Sequence, residues 1–420
     1  MRKLQFLLGE LRFLQELLYQ KAFLERSREA GKASFCRVRK LPFPRVMLLL
    51  LNFMTRPSFT ELKNFFTNIM GVNDTVTQQA LSEARQKIRY QAFQEIFEST
   101  RDHCLNPEDI SLFHGYRVLA IDGSSVRLTN IPELREKFGD STPSDGMVCA
   151  RMSMIIDVLN EMILDGSLAA FSTGERQMAI EGVKRVEKLP MEMKKCIFLM
   201  DRGYWSPELF AQILEDHNSF LIRVPNGVTS EIRSGAEDVH IQSGGKEYIL
   251  RCKRFSLRSG EIETLVTNLD ESELSNDEMM QLYAHRWGIE TKYDELKNTL
   301  KIDTLTSKTY LTVMQDFYAT LTLSNFVTYA AYAAQAEIDK KQANKGNKYA
   351  YKPNRNVIVT ALKDHMIAAV AAPSAVERMR NLIVIEKMLS SRPVPIRPNR
   401  STPRPGRTKS KKSPSPRSPL

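Results

Sequence analysis

Two short apolar runs, Val118-Leu119-Ala120-Ile121 and Ile197-Phe198-Leu199-Met200, each end on an aspartate, Asp122 and Asp201. Runs of this length are strand-like, and helical periodicity lies between and after them, which restricts the chain to an α/β core. Ligand sites of such sheets gather where strands end, and Gly123 after Asp122 leaves that carboxylate at the mouth of a buried strand. Taken singly, an aspartate closing an apolar strand is more often a turn or helix-cap residue. Two of them on neighbouring strands bring two carboxylates to one point.

Residues before about 110 carry apolar side chains at three and four spacing and read as helical. Ser58 and Glu61 have capping-box spacing, Gly71 and Asn73 mark a turn, and Thr77 to Ile88 follows as another helix. That helix, turn and helix is a candidate DNA-reading unit, although helical hairpins that merely pack are more common. From 114 the segments YRVLAIDG, SSVRLT, MVCARMSMIIDVLN and EMILDGSLAAF read as strands, the last two joined by a tight turn near Asn160 and Glu161. A helix over Gly174 to Leu189, a strand over 196–200, a Ser206-capped helix to Glu215 and a strand over 219–224 follow. Residues 225–270 alternate short extended runs with Gly and Ser turns, as a β-rich insertion would. One helix is expected from Ser275 to Lys297, another from Thr309 to Ile338, and a last helical segment ends near Ser390. The division that results is a helical region over 1–112, an α/β catalytic domain over 113–335, C-terminal helices over 336–390 and a disordered basic tail over 391–420.

The formal charge of +11 favours an anionic partner, either nucleic acid or an acidic membrane surface. Nine basic residues and no acidic one lie between Arg392 and Leu420, which leaves only +2 on the body. The tail either adds salt-sensitive, sequence-independent DNA affinity or is a disordered end of little consequence. Five cysteines without a CxxC pair, with only Cys104 flanked by a histidine, read as reduced, mostly buried thiols of a cytoplasmic protein. The opening MRKLQFLLGELRFLQELLYQ is basic and apolar like a leader, but Glu10, Arg12 and Glu16 interrupt it, and it reads as an amphipathic helix. Met47 to Met54 falls far short of the roughly 20 apolar residues a membrane span needs and reads as a buried helix.

A third acidic residue has a more specific setting. On a helix of about 100° per residue, Tyr283, Arg286, Glu290, Asp294 and Lys297 share a stripe about 80° wide. Leu282, Ile289, Tyr293, Leu296 and Leu300 form an apolar stripe beside it. Charged helix faces are usually solvated and self-paired, but here a tyrosine stands in register with the charges.

In YAHRWGIETKYDELK the order is tyrosine, two residues, arginine, three residues, glutamate, six residues, lysine. This resembles the signature of the insertion-sequence-four family of DDE transposases, with Tyr283, Arg286, Glu290 and Lys297 at its four positions. LAIDGS and LMDRGYWS resemble that family's first and second aspartate motifs and occur in the same order. The likeness spans about residues 50–335 and does not reach the tail. Asp294 stands where some relatives carry a further basic residue, with Lys292 near it in sequence. The resemblance implies an RNase H-like catalytic core with a β-rich insertion, flanked by helices at both ends. It implies a DNA transposase that cuts at insertion-element ends and joins the freed 3′ hydroxyl to target DNA. Two Mg²⁺ ions, with Mn²⁺ as a substitute, would be held by Asp122 on both and by Asp201 and Glu290 on one each. The implied partner is double-stranded DNA in a homodimeric synaptic complex, away from membranes, in the bacterial cytoplasm at the nucleoid.

The residue types suit that chemistry. Carboxylates with phosphate oxygens and water are ligands for Mg²⁺, and two hard cations about 4 Å apart both activate an oxygen nucleophile and relieve charge on the leaving oxygen. Arg286 offers a bidentate fork and Lys297 a point charge to phosphates near the cleaved bond, while Tyr283 would hydrogen-bond a phosphate oxygen or stack on a displaced base. Trp205 and Trp287 are candidates for stacking on a flipped base, though large aromatics beside active sites more often pack. Two rivals stand beside this reading: an RNase H-like nuclease that cuts without strand transfer, and a catalytically silent DNA-binding regulator derived from a transposase. Intact Asp122, Asp201 and Glu290 argue against the second.

Overall fold

The apolar run before Asp122 builds the middle of a sheet, where Val118 to Ile121 are each at most 1% exposed. The computed structural model describes residues 2–29, 34–37, 39–52, 58–71, 75–106, 110–141, 146–192, 195–257, 260–304, 307–343, 345–372 and 374–397. Its sheet is made of β1 (Arg117–Arg127), β2 (Cys149–Asp157), β3 (Met162–Ala170), β4 (Cys196–Met200), β5 (Ser219–Val224), β6 (Asp238–Ser243), β7 (Lys246–Ser256) and β8 (Ile262–Thr267). The spatial order is β3-β2-β1-β4-β5-β8-β7-β6. β1 and β4 run parallel, as do β4 and β5, whereas β2–β3, β5–β8, β7–β8 and β6–β7 are antiparallel. The sheet is therefore mixed, and the chain is of the α/β class.

The segments bounded by turn residues fall where the sequence puts them. β4 and β5 coincide with CIFLM and SFLIRV, and Ser206 caps the helix Pro207–Glu215 by accepting from the Leu209 N–H at 3.4 Å. The β2–β3 hairpin turns at Glu161, which takes a left-handed φ of 54°. The β-rich insertion extends the same sheet, because β8 pairs along β5 and β7 and β6 follow it outward.

Two expectations need correction. YRVLAIDG and SSVRLT are one strand: β1 runs through Asp122 and Gly123 to Arg127, and what stops near Asp122 is its ladder with β4, whose paired residues end at Ala120 and Leu199. The helix expected from Ser275 to Lys297 is broken. It runs as Asn276–Ala284, then Trp287–Asp294, then a π-helical turn over Glu295–Thr299. At the break the N–H groups of His285, Arg286 and Gly288 reach back three residues, to Leu282, Tyr283 and His285, so the turn tightens. Gly288 sits so close to β2's exit that a Cβ there would come within 3.3 Å of Val158.

The chain divides into two units. One, Leu105–Val126 with Cys149–Asp294, contains the sheet. In it the buried Arg117 guanidinium pairs with Asp157 at 3.2 Å and also bonds the Leu105 carbonyl, which ties the start of β1 to the end of β2. The other, Met1–Cys104 with Arg127–Val148 and Glu295–Leu420, is mainly helical among its described residues. There the helix Arg2–Tyr19 buries Leu7, Leu11, Leu14 and Leu18, the amphipathic pattern its sequence carries. The helix Phe43–Leu51 is buried along Val46 to Leu51, and the 33-residue helix Tyr310–Gln342 is buried for most of its length. Glu61 is buried and pairs with Lys363 at 2.7 Å. Asn73 and the tail beyond 397 lie outside the described residues. The cysteines are free, and four of the five are buried. Among the described residues no helix is long and apolar enough to cross a membrane.

Candidate active site

The parallel register of β1 and β4 pairs Ala120 with Leu199. Asp122 lies two residues past the last paired residue of β1, and Asp201 directly follows the end of β4 at Met200, so both aspartates stand at the same end of this ladder. Each carboxylate is held by a backbone N–H close in sequence: Gly123 N–H donates to Asp122 Oδ1 at 2.8 Å, and Gly203 N–H donates to Asp201 Oδ1 at 2.7 Å. Asp201 thereby also caps the short turn Arg202–Tyr204, so the ordinary role of a strand-end aspartate holds for it as well.

Glu290 lies in the first turn of the helix Trp287–Asp294, one helical turn after Arg286. Arg286 Nη2 donates to Glu290 Oε1 at 2.9 Å. The guanidinium is 7% exposed, lies 4.9 Å from the Trp287 ring and 5.9 Å from the Tyr283 ring, and its Nε is buried with no hydrogen-bond partner. Burial pushes the Asp122 carboxyl up to about 7; Asp201 and Glu290 push the same way, against the Gly123 N–H and Arg286. Burial likewise raises the Tyr283 hydroxyl, with Arg286 opposing and Asp201 adding. The structure thus brings Asp122, Asp201, Glu290, Arg286 and Tyr283 into one electrostatic neighbourhood within the sheet-bearing unit. Lys297 belongs to the helical unit, where its Nζ lies 4.0 Å from Asp303. Lys292 is buried.

Several supporting residues carry no clear mark in the sequence. Tyr293, part of an apolar stripe by its spacing, is buried, but its hydroxyl donates to the Asp122 carbonyl at 2.6 Å. It therefore bridges the glutamate's helix to the first aspartate's strand. Glu175, at the start of the helix Glu175–Val186, pairs with Arg151 and lies against Gly123, where a Cβ would come within 2.9 Å of its Cδ. Tyr204 is 1% exposed and its hydroxyl has no hydrogen-bond partner. The RGY that follows Asp201 is its one signal in the sequence. Trp205 packs edge-on against Phe210 at 5.2 Å, whereas Trp287 is 51% exposed.

Among the described residues, the group of three ligand-type side chains whose donor atoms all lie within 4.8 Å of one another is Glu10, His103 and Cys104. Asp122, Asp201 and Glu290 are not drawn together that tightly.

A sequence profile of the Transposase DDE domain matches residues 113–326, just over half the chain, and takes in all three acids. The chain belongs to the DDE transposase family. It is 25% identical over 286 residues to the transposase InsG for insertion sequence element IS4 of Escherichia coli (strain K12), in agreement with the motif resemblance. That match covers 62% of this chain and 62% of the relative, so the chain spans less than two thirds of that transposase. Its fold is similar to that in the cryo-EM structure of a piggyBac transposase synaptic complex with hairpin DNA. The TM-score is 0.51 at 10% identity, over 90% of this chain and 85% of that one.

Proposed function

We propose that the chain is a DNA transposase that cuts at the ends of an insertion element and transfers the freed strands to target DNA, using Asp122, Asp201 and Glu290 to hold two divalent cations. The observation that supports this reading is that Asp122 and Asp201 follow the same end of the parallel β1–β4 ladder, while Asp201, Glu290 and Arg286 act on the Asp122 carboxyl group.

The donor set fits the cations. It is all oxygen, as Mg²⁺ prefers, and burial first, then the neighbouring Asp201 and Glu290, raise the Asp122 carboxyl, a penalty on the charged form that a bound cation would offset. Asp122, Asp201 and Glu290 would hold the two cations. When bound, the cations would activate an oxygen nucleophile and neutralise charge on the scissile phosphate and leaving oxygen. Arg286, braced by Tyr283 and Trp287, would donate to a non-bridging phosphate oxygen. Tyr283 contributes by fixing that guanidinium, and Lys297 supplies a second phosphate contact. Tyr293 holds the Asp122 backbone so that the carboxylate is presented at a fixed height on β1.

The strand order β3-β2-β1-β4-β5 supports reading the core as RNase H-like, with β6–β8 as the insertion. Residues 113–335 would be the catalytic domain, with 1–112 contributing to DNA binding, and the working form would be a dimer on double-stranded DNA. The test is a supercoiled plasmid carrying the element ends, incubated with the protein and Mg²⁺, with nicks, hairpins and joined products mapped to the nucleotide. Breaks at the element boundary followed by joining are expected. Cutting unrelated to the ends would mean a nuclease, and binding without breaks in either Mg²⁺ or Mn²⁺ would mean a regulator.

A further inference from the structure

His103 and Cys104 are the only adjacent histidine and cysteine in the chain, and transposase chemistry gives them no role. They close the helix Gln91–His103 in the helical unit, and Glu10 of the helix Arg2–Tyr19 lies against them. Glu10 Oε1 contacts His103 Nδ1, and the Cys104 thiol hydrogen-bonds with Glu10 and with Tyr329. Glu10 is 1% exposed, yet its Oε2 is buried with no hydrogen-bond partner. A buried carboxyl oxygen left unpaired is costly, and native structures seldom tolerate one without an ion or other partner. The Phe13 ring stacks on the imidazole at 4.3 Å and fixes its plane, while 44% of the His103 side chain remains open to solvent.

We propose that Glu10, His103 and Cys104 bind one borderline transition-metal cation, Zn²⁺ by the chemistry of the donors, which pins the first helix to the end of the Gln91–His103 helix. Sulfur, imidazole nitrogen and carboxylate oxygen are the donor types of protein zinc sites, and their mutual spacing within 4.8 Å suits metal–ligand bonds of about 2.0–2.3 Å. A thiolate donor disfavours Mg²⁺, so the site is chemically distinct from the carboxylates proposed for the hard cations. Binding releases the thiol proton to solvent.

The full chain, stripped with a chelator under reducing conditions, would be equilibrated with Zn²⁺ alone, gel-filtered and assayed for metal per chain by mass spectrometry. One zinc per chain is expected in the natural protein and in Cys36→Ser, with loss in Cys104→Ser and in His103→Gln, the latter replacing a half-exposed ring. Co²⁺ in place of zinc should give a thiolate charge-transfer band that Cys104→Ser lacks. A zinc-free chain after gel filtration, or zinc retained in full by both Cys104→Ser and His103→Gln, overturns the proposal.

Discussion

At the scale of single residues, the site depends on how firmly a few groups are aimed. Tyr293 spends its buried hydroxyl on the Asp122 carbonyl. Tyr293→Phe removes that donor from a part-buried carbonyl, a loss of about 1 kcal/mol in stability. A shift of the strand would also displace the Asp122 carboxylate, so under the proposed function cleavage should fall about tenfold or more while DNA binding holds. Thermal unfolding and single-turnover cleavage measure the two effects separately. Arg286→Lys keeps the charge but loses the planar fork and the stacking on Trp287 and Tyr283. Cleavage should drop about 10- to 100-fold, the equivalent of one charge-assisted hydrogen bond. Full activity in the lysine variant would show that a point charge suffices. The role of Tyr293 is not legible in the sequence, because an aromatic in an apolar stripe looks the same whether or not its hydroxyl has a task. Asp122, Asp201 and Glu290 stand out in the sequence because each lies beside a recognisable pattern: an apolar strand run before each aspartate and a helix turn that the glutamate shares with arginine.

At the scale of elements, strands bounded by turn residues are plain in the sequence, and elements joined without punctuation are not. β4 and β5 are flanked by polar loop residues, whereas nothing in IDGSSV announces that β1 continues past its ladder with β4. Helical periodicity likewise averages over the tight turn at His285 and Arg286, since three-residue bonds displace the stripe without erasing it. The helix Glu175–Val186 ends at a carboxyl that gives a test of its own. Burial, with Asp216 beside it, raises Glu187 from 4.5 to about 7. The folded state therefore binds this proton more tightly than the unfolded chain does. Stability is lost as pH rises from about 4.5 to about 7 and stays lower above that. Glu187→Gln should be more stable than the natural chain at pH 8, with the advantage shrinking towards pH 4, as read from chemical denaturation at the two pH values. An advantage that does not change with pH would mean that the carboxyl titrates normally.

At the scale of the whole molecule, the α/β class and the family are legible in the amino-acid sequence, because three short motifs in fixed order carry both. The division into units is not: Arg127–Val148 leaves the sheet-bearing unit and Cys149 returns to it, an excursion that local composition does not mark. Net charge is an equally poor guide to the site, since most of the excess lies beyond Arg392 and the three acids make their own surroundings negative. Whether these acids act together on divalent cations is decided by cleavage of element-end DNA in Mg²⁺ by Asp122→Asn, Asp201→Asn and Glu290→Gln. Each variant should fold and retain the DNA but lose cleavage by a factor of about 10³ or more, as removing a principal electrostatic group does. A variant of any of the three that still cuts at the natural rate would contradict that joint action.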